Sequence, residues 1–148
     1  MIQVLKLLFE NPERDCEESQ RRGLHLAAAA LLIETARADF VQDELEQVKM
    51  AELLASSLKL GTAEVEDLMA AAEQRVDEAV SLYEFTRVIN DHYSAEQKLR
   101  LIDAMWAVAY ADGNLDKYEE HLIRQVAELT YVPHADYRRA KLEAGQNL

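Results

Sequence analysis

The stretch "LHLAAAALLIETA", residues 24–36, is apolar nearly all the way round a helix. A surface helix shows one apolar stripe, whereas a helix apolar on every side has to be surrounded by other elements. The spacing predicts a long helix from about Glu18 to Ala38 whose middle lies at the centre of the molecule. The rest of the chain is compatible with helices as its neighbours. Only four Gly and two Pro occur in 148 residues, and no segment alternates with period two over the length of a strand. This length suits one domain, residues 1–148. A chain of this size buries roughly 68–70% of its unfolded surface, so it needs no covalent staples to fold. The expected class is all-α, a compact bundle of about seven helices.

Ile2 to Phe9 reads as a short first helix that "NPERD" interrupts, because Pro12 disfavours a helical Asn11. A second long helix is expected from Asp43 to Leu58, with Leu45, Val48, Ala51, Ala55 and Leu58 recurring at three- and four-residue steps. Gly61 is a natural stop and Thr62 a natural N-cap. The following helix, Ala63 to Arg75, continues or kinks into one ending near His92, with Leu82, Phe85, Val88 and Ile89 inward. Ser94 caps a helix to Ala111 that carries Leu99, Ile102, Trp106 and Ala109 on one face. Lys117 to Thr130 follows with Tyr118, Leu122, Val126 and Leu129 inward, and a last helix holds Tyr137 to Ala144.

The net charge of −12 argues against DNA or RNA as direct partners, since binding to phosphate backbones needs clustered Lys and Arg. Anionic membrane surfaces are disfavoured for the same reason. Metal ions, cationic ligands and basic protein surfaces stay compatible, as does charge kept for solubility alone. The one cysteine, Cys16, excludes an intramolecular disulfide and has no neighbouring His to activate it. The opening "MIQVLKLLFENPERD" lacks a basic n-region and a small-residue cleavage site, and the longest apolar run, Leu26 to Ile33, is too short for a bilayer. A soluble, cytoplasmic protein is expected.

The chain also carries an internal similarity. "ARADFVQDELEQ", Ala36 to Gln47, aligns without gaps on "AYADGNLDKYEE", Ala109 to Glu120, at an offset of 73. Both read Ala-x-Ala-Asp-x-x-x-Asp-x-x-Glu, and each follows a strongly apolar helix and precedes an amphipathic one. Downstream, "LGTAEVEDL" matches "VPHADYRRA" once the offset drops by one. Two related halves, about residues 18–76 and 94–145, are the expected organisation.

These paired acidic junctions in an acidic, all-helical chain resemble the tellurite-resistance TerB-like family. The family form "LWAVAYADGxxDxYEEHLIRxVAxLxxVPH" reads "MWAVAYADGNLDKYEEHLIRQVAELTYVPH" here, and "LKLLF" and "LYEFTRVINDHYS" are similar to it as well. The first junction is the looser match, with Phe40 standing where Gly113 stands in the second. The resemblance implies a setting of tellurite resistance and bacterial envelope or chemical stress. It also implies a metal-linked role for Asp39, Asp43, Glu46, Asp112, Asp116 and Glu119.

Read from the residues alone, the junctions allow two accounts. Asp43 and Asp116 are placed as N-caps with Glu46 and Glu119 three positions on, as in a capping box. Capping leaves Asp39 and Asp112 at helix C-terminal ends, where the helix dipole disfavours an anion by about 0.3–1 kcal/mol. A divalent cation held by these carboxylates would reverse that sign, and such hard oxygen ligands suit Ca²⁺, Mg²⁺ or Mn²⁺. An EF-hand does not fit: Lys117 falls where the loop needs Gly, and Ile123 where it needs a bidentate Glu. No phosphate loop, nucleophile elbow or paired His motif occurs. His121 and His92 read as surface or packing residues and His134 as a cap. The functional expectation is therefore a non-enzymatic binding or scaffolding module with a protein partner. The rivals are a metal-dependent hydrolase using the clustered carboxylates and a purely structural bundle.

Overall fold

A computed structural model describes residues 12–38, 44–111, 113 and 115–146, and side chains from residue 21 onward. Seven helices are found among the described residues: α1 (Pro12–Arg37), α2 (Glu44–Leu58), α3 (Thr62–Glu78), α4 (Tyr83–His92), α5 (Ala95–Ala109), α6 (Lys117–Leu129) and α7 (His134–Gln146). No strand occurs among them, so the all-α expectation holds. None of these helices is long and apolar enough to cross a membrane. The expected helix over Ile2 to Phe9 lies outside the described residues.

Helix α1 starts at Pro12 rather than at Glu18, which places Cys16 inside it rather than before it. Proline is well suited to a first helical position, because its missing N–H would have no intrahelical partner there. Ala27 to Ile33 are buried on every side, and α1 packs against α2, α3, α4, α5 and α6. Helix α5 is the second organising element. It buries Leu101, Ile102, Met105, Trp106, Val108 and Ala109 and packs against α1, α2, α6 and α7. Helices α1, α2 and α3 touch pairwise, and so do α5, α6 and α7. Helix α4 bridges the two sets: it packs on α1 and α6, and Asn90 Nδ2 donates to the carbonyl of Leu129 at 2.8 Å.

Helix facing departs from the hydropathy pattern in two places. On α2 the buried residues are Glu46, Met50 and Leu54, while Leu45 and Val48 are more than half exposed beside the groove between α2, α5 and α7. On α6 the buried residues are Glu119, Ile123, Val126 and Ala127, and Tyr118 is exposed. In each case the helix is turned so that a glutamate enters the core and the apolar residue before it faces out.

The helix ends also differ from expectation. Helices α3 and α4 are separate, because Ala79 is extended (φ −70°, ψ 139°). Ser94 caps α5 as expected, accepting from the Gln97 amide at 3.2 Å while Gln97 Oε1 accepts from the Ser94 amide at 2.8 Å. The N-cap of α3 is Gly61 rather than Thr62, and Glu64 reaches back to the Gly61 amide at 3.5 Å. His134 is the first residue inside α7, not a cap. Helix α2 is stopped by Lys59, at φ 56°, before Gly61 is reached; the Leu60 amide donates to the Ala55 carbonyl at 3.0 Å. Tyr131 does the same for α6 at φ 61°, with the Val132 amide donating to Ala127 at 2.9 Å. Both closures have the bond pattern of a Schellman end, built on residues other than glycine.

Two predictions follow from this packing. A left-handed conformation costs an L-residue about 1–2 kcal/mol, and glycine gives back about 0.5–1 kcal/mol through chain entropy. Lys59→Gly is therefore expected to stabilise the protein by roughly 0.5–1 kcal/mol in denaturant melts. Half-buried Glu34 on α1 has its pKa raised, first by desolvation, with Arg37 opposing and Asp77 adding to the shift. Stability is then lost as pH rises through that raised value. Glu34→Gln is expected to melt higher than wild type at pH 7, and the difference to shrink below the ordinary glutamate value of 4.5.

Candidate functional site: two acidic helix junctions

The second junction begins where α5 ends. The Ala111 amide donates to the Val108 carbonyl at 3.2 Å, and the Gly113 amide to the Tyr110 carbonyl at 2.9 Å. Gly113 has φ +85°, a conformation that glycine adopts without a Cβ penalty. The chain then becomes extended at Asp116 (φ −86°, ψ 143°), the N-cap of α6, whose Oδ1 accepts from the Tyr118 amide at 2.7 Å. Glu119 occupies the third helical position and is 1% exposed. Beyond it, Glu120 forms an ion pair with Lys141 of α7.

The first junction has the same outline where it is described. Helix α1 ends at Arg37, and the Ala38 amide donates to the Thr35 carbonyl at 3.3 Å. Helix α2 opens at Glu44, and Glu46 at its third position is again 1% exposed. Arg37 reaches Asp77 at 2.6 Å and ties the end of α1 to α3. Of the six candidate ligands, Glu46, Asp116 and Glu119 are described, whereas Asp39, Asp43 and Asp112 lie outside the described residues, as do Phe40 and Asn114. Among the described residues no three His, Cys, Asp or Glu side chains form a metal-sized group.

Burial at Glu46 and Glu119 goes beyond what capping alone requires. A capping or dipole-opposing acid in a first turn works at the surface. A buried carboxylate stays charged only when hydrogen-bonded, paired or bound to a cation. The sequence contained a signal of this burial in the i, i+4 runs Glu46–Met50–Leu54 and Glu119–Ile123–Ala127. Hydropathy reasoning passes over it because it assigns carboxylates to solvent. Along the same offset of 73, Ala29 and Ile102, Leu32 and Met105, Ile33 and Trp106, and Met50 and Ile123 are buried pairs.

An all-helical chain with two acid-bearing turns, each following a buried helix, is the class of protein defined so far. Residues 25–142 match the family model described as tellurite resistance protein TerB, and the chain belongs to that family. Neither a curated protein nor a solved structure shows significant similarity to it.

Asp116 provides a direct test of the capping contribution. Asp116→Ala removes the acceptor for the Tyr118 amide and is expected to lower stability by about 1 kcal/mol in urea melts.

Proposed function

We propose that this member of the TerB family is a non-enzymatic binding and scaffolding module of a tellurite-resistance-related system. It holds a divalent cation at its acidic junctions and presents an acidic surface to a protein partner in the cytoplasm. The observation that carries this reading is the burial of Glu46 and Glu119, both 1% exposed and both at the third position of the helix after a junction. Oxygen-only donors suit Ca²⁺, Mg²⁺ or Mn²⁺ rather than softer metals. Asp39, Asp43 and Glu46 would hold one ion, and Asp112, Asp116 and Glu119 the other. The bound ion would supply positive charge that neutralises carboxylates at helix ends and stiffens the turn. Matched helix ends at Lys59 and Tyr131 and the buried pairs at the offset of 73 support a duplicated origin for the two junctions.

Capping is the companion reading, favoured by the contact between Asp116 and the Tyr118 amide. The two are compatible, since a carboxylate offers two oxygens and about four lone-pair sites.

Titration of the full chain with Ca²⁺, Mg²⁺ and Mn²⁺, followed by amide NMR and calorimetry, separates them. Cation binding predicts saturable shifts at Ala38, Glu44, Ala111, Gly113 and Leu115. It also predicts a stabilisation of about 2.7 kcal/mol at a hundred times Kd, reversed by chelator. Glu46→Gln with Glu119→Gln should weaken both effects. Absence of any shift at millimolar cation leaves capping as the sole role.

A further inference from the structure

The Lys, Arg and His side chains of this acidic chain are not evenly spread. On α6, Lys117, His121 and Arg124 recur at i, i+4 and i+7, and on α7 His134, Arg138 and Lys141 recur at the same spacing. That spacing places each trio on one face of its helix. The two helices pack against each other, and both trios line a single open groove of about 480 Å³. Four Lys or Arg and one acid, Glu120, line it, whereas the whole chain has 28 acids against 16 Lys and Arg.

Helix stability does not account for this placement. Lys117 is the first residue of α6 and therefore sits at the helix end that disfavours cations. Arg138 and Lys141, three residues apart on α7, also repel each other. Among the described residues, the neighbouring acids form ion pairs with only some of these side chains. Glu120 pairs with Lys141, and Glu128 lies 3.4 Å from Arg124 in an exposed ion pair of the kind that exchanges readily. Asp136, in the first turn of α7, is engaged by Arg139 at 3.3 Å.

The floor of the groove is firmly built. Tyr137 is buried, its ring centroid lies 5.3 Å from that of Trp106, and His134 stacks on it at 5.6 Å. Lys141 lies over the Trp106 ring at 5.9 Å. Burial, then Glu120, raises the pKa of Tyr137. The rim is rich in Lys and Arg and the base is aromatic, a combination suited to a compact anion with a flat portion.

We infer that the α6–α7 groove binds a small phosphate-bearing anion through Lys117, Arg124 and Arg138, with His121 and His134 as flanking donors. Guanidinium groups match phosphate oxygens by paired N–H donation. The groove's size fits a pyrophosphate or a nucleoside phosphate better than an extended polymer, and the surrounding net charge of −12 disfavours long nucleic acid. This site adjoins the second acidic junction through Lys117 and Glu120, shares none of the six candidate cation ligands and takes a ligand of opposite sign.

Amide NMR of the full chain with pyrophosphate and with ADP, against sodium chloride at matched ionic strength, tests it. Saturable shifts on α6 and α7 that chloride does not reproduce are the expected result. Arg124→Gln with Arg138→Gln should weaken binding roughly tenfold or more. Lys98→Gln with Arg100→Gln, neither of which lines the groove, should leave it unchanged. Tighter binding of ADP than of pyrophosphate assigns the aromatic floor to the base, and equal affinity assigns recognition to the phosphates alone. The inference fails if shifts are unsaturable or match chloride, if the Arg variants bind as wild type, or if an oligoglutamate peptide outcompetes both phosphates. Amide spectra and melts of each variant establish that it is folded.

Discussion

Burial of α1 on all sides is the constraint on which the rest of the structure depends. A helix satisfies its own backbone hydrogen bonds, so it can be enclosed without leaving donors or acceptors unmet, provided its side chains are apolar. Ala27 to Ile33 meet that condition, and their small alanines allow five other helices to approach closely. Helix α5 repeats the role, burying Leu101, Ile102, Met105, Trp106, Val108 and Ala109. Helix α1 ends at Arg37 and α5 at Ala109, and in the sequence an acidic motif follows each end. The candidate site is therefore a consequence of where the two central helices end.

Charge is organised on the same frame. One carboxylate from each amphipathic helix, Glu46 and Glu119, is drawn into the core at the first turn. The outer face of α6 bears Lys117, His121 and Arg124 instead, turned towards a matching row on α7. A single helix therefore separates an inward-facing acid from an outward-facing basic row. Among the described residues this groove is rich in Lys and Arg, although the chain as a whole is acidic.

Much of the fold was legible in the sequence because helices announce themselves through periodicity and through the scarcity of breakers. Ser94 with Gln97, and Asp116 before α6, were legible as caps because capping is chemistry between near neighbours. The orientation of α2 and α6 was legible only in part: Ala51, Ala55, Leu58 and Val126 pack on the core as expected. Leu45, Val48 and Tyr118 belong to apolar stripes by spacing, yet they face outward while the adjoining glutamates are enclosed. Rotation of a helix about its axis is set by what its neighbours offer, and hydropathy counts a carboxylate as exposed whatever its surroundings. The stops at Lys59 and Tyr131 were missed because a glycine stood near one of them, while the helices close through the Leu60–Ala55 and Val132–Ala127 backbone bonds on exposed non-glycine residues.

By itself the sequence determined the helical class, the central place of α1, the order of the elements, the family and the two acidic motifs. Each follows from local periodicity, capping chemistry or residue identity. Only the tertiary structure decided that Glu46 and Glu119 lie inside, that Leu45 and Tyr118 lie outside, and that cations from two separate helices share one groove. Those outcomes depend on which surfaces meet across the fold, and contact between residues far apart in the chain leaves no periodic trace within either segment.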